Sequence, residues 1–181
     1  MSKGTPDAPG TPGTPEEESP TLDQARRQLR HYGLDADPQA VLVAVRLMSA
    51  GARLGQAAET HFARYGLSTG RYRLLADLED SGGEKSPSRL AAGLGVSRAT
   101  VTGLVDALER DGLVVRRPST EDGRGAVVVL TARGAQRLRD LAPDHFDRLQ
   151  AMVGELTREE RAVFLDLLAR ITRGIGALTE P

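Results

Sequence analysis

Residues 86–131 carry two short amphipathic patterns followed by two β-rich runs, and this order constrains the fold more than any other part of the chain. The second pattern places apolar side chains three and four residues apart, on one stripe of an α-helix. The stripe consists of Val101, Leu104, Val105 and Leu108. Ser97 is predicted to cap this helix, because its hydroxyl can accept a backbone N–H of the first turn. Gly112 is predicted to end the helix in the left-handed conformation.

The first pattern predicts a shorter helix before that one. Ser86 can cap this helix, and Pro87 suits its first position. Residues 93–96 are predicted to form the tight turn between the two helices. Residues 113–117 and 126–130 are rich in β-branched and aliphatic side chains, which predicts a β-hairpin around a long loop. Two helices and such a hairpin, in this order, are typical of a winged helix-turn-helix.

The second helix is predicted to leave a small, uncluttered surface opposite its apolar stripe. This surface consists of Ala99, Thr102, Gly103, Asp106 and Arg110. A helix that enters the major groove needs small residues near its start, so that it can approach the base edges closely. Asp106 lies four residues before Arg110, and we expect these two side chains to form an ion pair along the helix. The hairpin would carry Arg116, Arg117 and Arg124 for phosphate or minor-groove contacts.

These motifs resemble those of the MarR family of bacterial transcriptional regulators, and the similarity extends over roughly residues 38–175. One matching segment is residues 95–116, which read GVSRATVTGLVDALERDGLVVR and follow a Leu-Ala pair. Another is the wing, where Asp122 and Arg124 form the family's Asp-x-Arg pattern. The layout of helices on both sides also agrees. The resemblance implies a homodimer that binds a pseudo-palindromic double-stranded operator and often responds to a small ligand.

The resemblance also implies roles for individual residues. In the family, the residue at the Arg124 position reaches the minor groove and the residue at the Asp122 position orients it. Many relatives carry arginine or lysine where this chain has Gly103, which leaves base reading at that position open. The predicted DNA contacts are Ser97, Arg98, Ala99, Thr100, Thr102, Gly103, Asp122 and Arg124. The alternatives are a merely solvated helix face and, for Asp122 and Arg124, an ordinary charged turn.

The predicted fold is mainly α with a small β-hairpin: a winged helix-turn-helix domain plus N- and C-terminal helices that form a dimerisation domain. Thr21 and Gln24 form the pattern of a capping box for the first helix. A long helix is expected over residues 37–65, and apolar side chains around much of its circumference favour burial on several sides. The predicted segments are a disordered tail at 1–20, dimerisation helices at 21–66, the winged domain at 67–131 and dimerisation helices at 132–181.

The two ends of the chain differ in character. Residues 1–20 are dominated by Pro, Gly, Thr and Glu, and so few apolar side chains predict disorder. Near the other end, Thr131 is predicted to cap a long helix, and Thr157 with Glu160 predicts a second capping box. Pro143 is expected to kink or break the helix that follows Thr131, because proline removes one backbone hydrogen bond.

Composition excludes several classes of protein. The formal net charge is −1, which is not that of a nonspecific polycation. Residues 86–133 nevertheless hold seven arginines against five acidic residues, a mild local bias toward DNA phosphates. The lack of cysteine excludes disulfides and thiol switches. No stretch is apolar for long enough to span a bilayer and no signal-peptide core is present, so we expect a cytoplasmic protein without a membrane partner.

No enzyme activity, metal or cofactor is predicted. Residues 95–99 faintly resemble a nucleophile elbow, but that motif needs a preceding strand, and Ser97 fits better as a helix cap. Glu59 and His61 with His145 are the strongest candidates for a zinc site. Scattered histidines on helix surfaces are the commoner arrangement, and no thiolate is available to assist.

A ligand pocket is expected where the long helix at 37–65, a helix at 69–80 and the helix after Thr131 converge. Its candidate residues are His61, Tyr65, Arg71 and Tyr72. Arg71 could receive a small anionic or phenolic effector. Alternatively, these side chains pack or solvate the hinge between the dimerisation helices and the winged domain. For the chain as a whole, the alternative function is a winged-helix protein-interaction module without sequence-specific DNA binding.

Overall fold

The computed structural model describes residues 19–118 and 126–178, and the fold over these residues is mainly α with one small antiparallel sheet, as predicted. The helices are α1 (Leu22–Tyr32), α2 (Pro38–Ala63), α3 (Thr69–Asp80), α4 (Pro87–Leu94), α5 (Arg98–Arg110), α6 (Ala132–Met152) and α7 (Arg158–Gly174), followed by a 3-10 turn (Ile175–Leu178). The strands are β1 (Glu84–Lys85), β2 (Val114–Pro118) and β3 (Ala126–Leu130). Most of the predicted tail, together with Asp122 and Arg124, lies outside the described residues.

The chain divides into two compact units, Met1–Ala63 and Arg64–Pro181. In the first unit, α1 packs against α2. The predicted capping box at Thr21 and Gln24 is present, and α1 ends at Gly33 in the left-handed conformation, with φ of 64°. The Asp37 carboxylate accepts the Gln39 backbone N–H at 2.9 Å, which satisfies one of the free donors at the start of α2.

The core of the second unit lies beneath α3, α4 and α5. Three residues of the predicted stripe on α5 are fully buried, because Val101, Val105 and Leu108 are at most 1% exposed, whereas the fourth, Leu104, is half-buried. They pack in one core with the other fully buried side chains, which are Leu74, Leu75, Leu78, Leu90, Val114, Val128 and Leu141. Burying one such side chain contributes about 1.5–3 kcal/mol, so this core fixes the orientation of α5.

The predicted hairpin forms, and a third strand joins it. β2 pairs with β3 in antiparallel register, from Val114 opposite Leu130 to Pro118 opposite Ala126. β1 pairs with the other edge of β3, so that the strand order is β1-β3-β2. Two residues show no periodicity, which is why the sequence did not predict β1.

The turn between α4 and α5 is shorter than predicted. Gly93 and Leu94 belong to α4, and the turn begins at Gly95, which has a φ of 68°. The predicted caps Ser86 and Ser97 are confirmed, since each side chain accepts a backbone N–H three residues ahead. The turn is therefore essentially three residues long and holds the two helices close together.

Pro143 lies inside α6, so the break expected at this residue is wrong, while the alternative of a kink stays a prediction. The helix runs uninterrupted from Ala132 to Met152. Leu141 and His145 are buried on either side of the proline. Their packing outweighs the loss of one backbone hydrogen bond, so the helix continues.

None of the described helices combines the length and the hydropathy that crossing a bilayer requires.

Candidate nucleic-acid interface

The start of α5 is held by paired hydroxyl groups. The Ser97 Oγ accepts the Thr100 backbone N–H at 3.0 Å, and the two side-chain hydroxyls lie 2.8 Å apart. This cap satisfies an otherwise free donor of the first turn and fixes both side chains on the solvent side of the helix. The first turn of α5 is thus an ordered, polar surface.

The DNA contacts predicted on and just before α5 are all accessible to solvent. Ser97, Arg98, Ala99, Thr100, Thr102 and Gly103 are all exposed, whereas Val101 between them is buried. We call these six exposed residues the α5 face. The Thr102 hydroxyl donates to the Arg98 backbone oxygen at 3.0 Å. A Cβ at Gly103 would meet no heavy atom within 4 Å, so the middle of the α5 face is open.

Arg116 on β2 connects the wing to α5. Its guanidinium pairs with Asp106 at 2.5 Å and with Glu109, and its backbone N–H donates to Glu109 at 3.0 Å. The hydrogen bonds to Asp106 and Glu109 raise the pKa of the Arg116 guanidinium, and partial desolvation opposes them. We call Arg116, Asp106 and Glu109 the wing clamp. Its geometry makes Arg116 a link between strand and helix instead of a free phosphate ligand.

The predicted ion pair between Asp106 and Arg110 is wrong. The Arg110 Nε donates to the backbone oxygen of Asp106 at 3.4 Å, and the Asp106 carboxylate binds Arg116 instead. Helical spacing alone favours a partner four residues away. The hairpin brings a competing guanidinium from outside the helix, and that competition is invisible to a local pattern.

Arg117, the other described wing arginine, is exposed and forms no ion pair among residues 19–118 and 126–178.

Two of the predicted effector residues face the middle of α6. The Tyr65 hydroxyl donates to Asp144 Oδ2 at 2.8 Å, which raises the pKa of Tyr65 and lowers the pKa of Asp144. The Tyr72 ring meets the His145 ring edge-on, with centroids 4.9 Å apart. Burial raises the pKa of Tyr72 and lowers the pKa of His145. Sequence reasoning did not anticipate Asp144, and it considered His145 only as a zinc ligand.

The other two predicted effector residues have different neighbours. Arg71 Nη1 pairs with Asp111 Oδ2 at 2.8 Å and so ties the start of α3 to the end of α5. His61 belongs to the first unit, where its ring contacts Phe62 edge-on at 4.9 Å. Nowhere in the part of the chain that the structure describes do three histidine or carboxylate side chains gather as a metal site would require.

Known proteins resemble this chain across the region that contains the α5 face. A model of the MarR family matches residues 65–125. The HTH-type transcriptional repressor YetL of Bacillus subtilis is 38% identical over 117 residues, which cover 64% of this chain and 70% of YetL.

Two solved structures from Streptomyces coelicolor share the fold. Sco3205, a MarR family transcriptional regulator solved in complex with DNA, is 27% identical with a TM-score of 0.69. The match covers 78% of this chain and 89% of Sco3205. The PcaV transcriptional regulator, solved with its natural ligand, is 25% identical with a TM-score of 0.62. That match covers 77% of this chain and 96% of PcaV.

Proposed function

Because this chain belongs to the MarR family of transcriptional regulators, we propose that it represses transcription as a dimer on a pseudo-palindromic operator. The observation that carries the proposal is the α5 face, a set of small, exposed residues on a rigidly buried helix. A major groove about 12 Å wide admits one α-helix about 10–12 Å across. Small side chains allow the backbone of α5 to come close to the base edges.

The α5 face offers different contacts at its two ends. Arg98 is exposed in the first turn, where it can pair with a phosphate or with the edge of a guanine. The methyl groups of Ala99 and Thr102 can pack on the methyl group of thymine. One of the Ser97 and Thr100 hydroxyl hydrogens is used in their mutual contact, which leaves the other O–H able to donate to a phosphate or base acceptor. Gly103 contributes close approach without a side-chain contact.

The wing supplies the second part of the proposed interface. Asp122 and Arg124, which lie between β2 and β3 in the sequence, are proposed to act together, with Arg124 in the minor groove and Asp122 orienting it. Arginine suits a narrow minor groove, where the negative potential is enhanced. The wing clamp supports this arrangement, because it fixes the base of β2 against α5.

A second copy of the chain would complete the operator-binding form. Helices α6 and α7 leave large apolar side chains exposed in the single chain, and these are Phe146, Leu149, Met152, Val163, Phe164, Leu165, Leu167 and Ile171. We therefore assign residues 21–66 and 132–181 to dimerisation and residues 67–131 to DNA binding. A dyad between two copies would place the α5 helices about 34 Å apart, one turn of DNA.

A small anionic or phenolic effector is proposed to weaken operator binding. The candidate residues are His61, Tyr65, Arg71 and Tyr72, and the solved complex of PcaV with its ligand supports a ligand-responsive regulator. Titrating the protein–DNA complex with salicylate tests this part. Release that is lost in Tyr72→Ala but retained in Tyr32→Ala would support the site, and release unaffected by Tyr72→Ala would contradict it.

Fluorescence anisotropy with the chain's own upstream promoter region tests DNA binding. We expect saturable nanomolar binding and a steep loss of affinity with salt, since each neutralised phosphate adds about −0.9 to the logarithmic slope. The same protein on a shuffled sequence is the control. Weak binding that does not depend on sequence would favour the winged-helix interaction module instead.

A further inference from the structure

The second unit contains a cleft at the end of α5 that is remote from the start of the α5 face. Its volume is about 340 Å³, which lies in the range of small-molecule sites. The end of α5, the start of α6 and the segment before α3 form its walls. Leu67 and Leu113 line the cleft and are only 4% and 3% exposed, so they give it an apolar floor.

Three arginines surround this floor. Arg110 lies at the end of α5, and Arg133 and Arg137 lie one helical turn apart on α6. The guanidinium of Arg133 lies beside Gly112, 3.8 Å from where a Cβ would stand on that glycine. The three cations therefore come from two helices and meet around one opening.

The carboxylates that the structure describes form no ion pair with these arginines. Arg110 and Arg137 donate to the backbone oxygens of Asp106 and Tyr65, at 3.4 and 2.9 Å. Within residues 19–118 and 126–178, neither these two arginines nor Arg133 forms an ion pair.

Other negative charge near the cleft is insufficient to balance three cations. Asp111 lines the cleft, but its carboxylate pairs with Arg71 at 2.8 Å. The C-terminal end of α5 contributes the equivalent of about half a negative charge. Counted over the described residues, more than two positive charges therefore remain uncompensated around the opening.

We propose that this cleft binds a small polyanion, a molecule with at least two clustered carboxylate or phosphate groups. A guanidinium group binds a carboxylate or a phosphate through paired N–H donors. Three guanidinium groups around one cleft can therefore hold more than one acidic group. Leu67 and Leu113 would contact the carbon skeleton of an organic ligand. The site differs from the predicted effector set, since Tyr65 is the one member of that set that lines it.

A bound polyanion would join the end of α5 to the start of α6. It would hold the recognition helix in one position relative to α6 and change operator affinity. This regulatory part depends on the proposed function, whereas the binding site itself does not.

Isothermal titration calorimetry on the full chain tests the site with citrate and with pyrophosphate as probes. Acetate at matched ionic strength controls for general screening. We expect saturable binding of at least one polyanion, and at least ten-fold weaker binding in Arg133→Gln/Arg137→Gln. Arg139→Gln, an exposed arginine on the same helix, should bind as the unaltered protein does. Circular dichroism verifies that each variant is folded.

Stronger binding of citrate would identify a carboxylate site, and stronger binding of pyrophosphate a phosphate site. Binding of neither probe, or equal binding by the double variant, would overturn the proposal. Operator affinity is then measured with and without the bound probe, and no change would overturn the regulatory part. Failure of the free protein to bind any operator would count against the proposed function and leave the calorimetric result intact.

Discussion

Gly103 lies at the exposed centre of the α5 face, with open space where a side chain would point. We propose that discrimination between DNA sequences depends on close approach of the α5 backbone and on the flanking Arg98, Thr100 and Thr102. We further propose that the wing adds recognition of DNA shape, which needs no direct base contact.

The protonation of His145 is expected to make the free energy of unfolding depend on pH. Burial lowers the pKa of His145, and the nearby Asp144 carboxylate opposes this shift in part. The neutral imidazole is favoured in the native state. Its contribution to stability is present above the unfolded pKa of about 6.5 and is lost as the pH falls through the lowered folded value.

Urea unfolding at pH 7.5, 6.5 and 5.5 measures this effect. The free energy of unfolding of the unaltered protein should fall over this range, and His145→Phe should flatten the fall. His31→Phe, at an exposed histidine of α1, is the control and should keep the original slope. Equal slopes for His145→Phe and the unaltered protein would contradict this explanation. The lowered pKa of Asp144 acts below pH 4 and does not enter this window.

At the scale of elements, the helices were predictable because their signals are local. The capping boxes at Thr21 and Thr157, the cap at Ser97 and the stripe on α5 all depend on residues within two turns. Strand β1 and the wing clamp were not predictable, since both need partners brought from distant parts of the chain. Pro143 shows the same limit, because buried neighbours on α6 override a local helix-breaking signal.

In the candidate site, too, local features were predictable from the sequence and long-range contacts were not. The sequence indicated which α5 residues point outward, because their positions follow from the helical period. It did not indicate that Asp106 pairs with Arg116, or that Arg71 pairs with Asp111, since neither partner is near in sequence. The three arginines around the cleft at the end of α5 come from two helices, so no local sequence pattern indicates that they lie close together.

The substitution Arg116→Ala tests whether the wing clamp orients the wing. Its side chains are about one third to one half exposed, so Arg116→Ala should lower the free energy of unfolding by less than about 1 kcal/mol. Operator affinity should nevertheless fall about ten-fold, or about 1.4 kcal/mol, because the wing loses its orientation. Urea unfolding and fluorescence anisotropy measure the two effects, with Arg139→Ala as the control.

A double-mutant cycle separates positioning from direct contact. If Arg116 acts through Asp106 and Glu109, then Asp106→Asn/Glu109→Gln should weaken operator binding as well. Adding Arg116→Ala to this variant should cost little more. Additive losses would mean instead that Arg116 itself contacts DNA.

At the scale of the whole molecule, α7 has no buried residue in the single chain. Exposed apolar patches of this kind mark protein interfaces. We expect Phe164→Asp to shift the protein from dimer to monomer at micromolar concentration, because a buried unpaired charge is costly. Arg173 lies nine residues further on, on the opposite side of α7 by the helical period, so Arg173→Asp is the matched control. Light scattering with size exclusion distinguishes the outcomes, and a Phe164→Asp dimer would place the interface elsewhere.

We propose that the α5 face contacts operator DNA, and the substitution Gly103→Glu tests this contact. The space around Gly103 accepts a side chain, so the variant should fold normally, while its carboxylate would oppose the negatively charged duplex. Like charges across an interface cost several kcal/mol, so anisotropy should show binding weakened about 100-fold or more. Gln136→Glu on α6 adds the same charge on an exposed position and should bind normally. Unchanged affinity in a folded Gly103→Glu protein would contradict the claim.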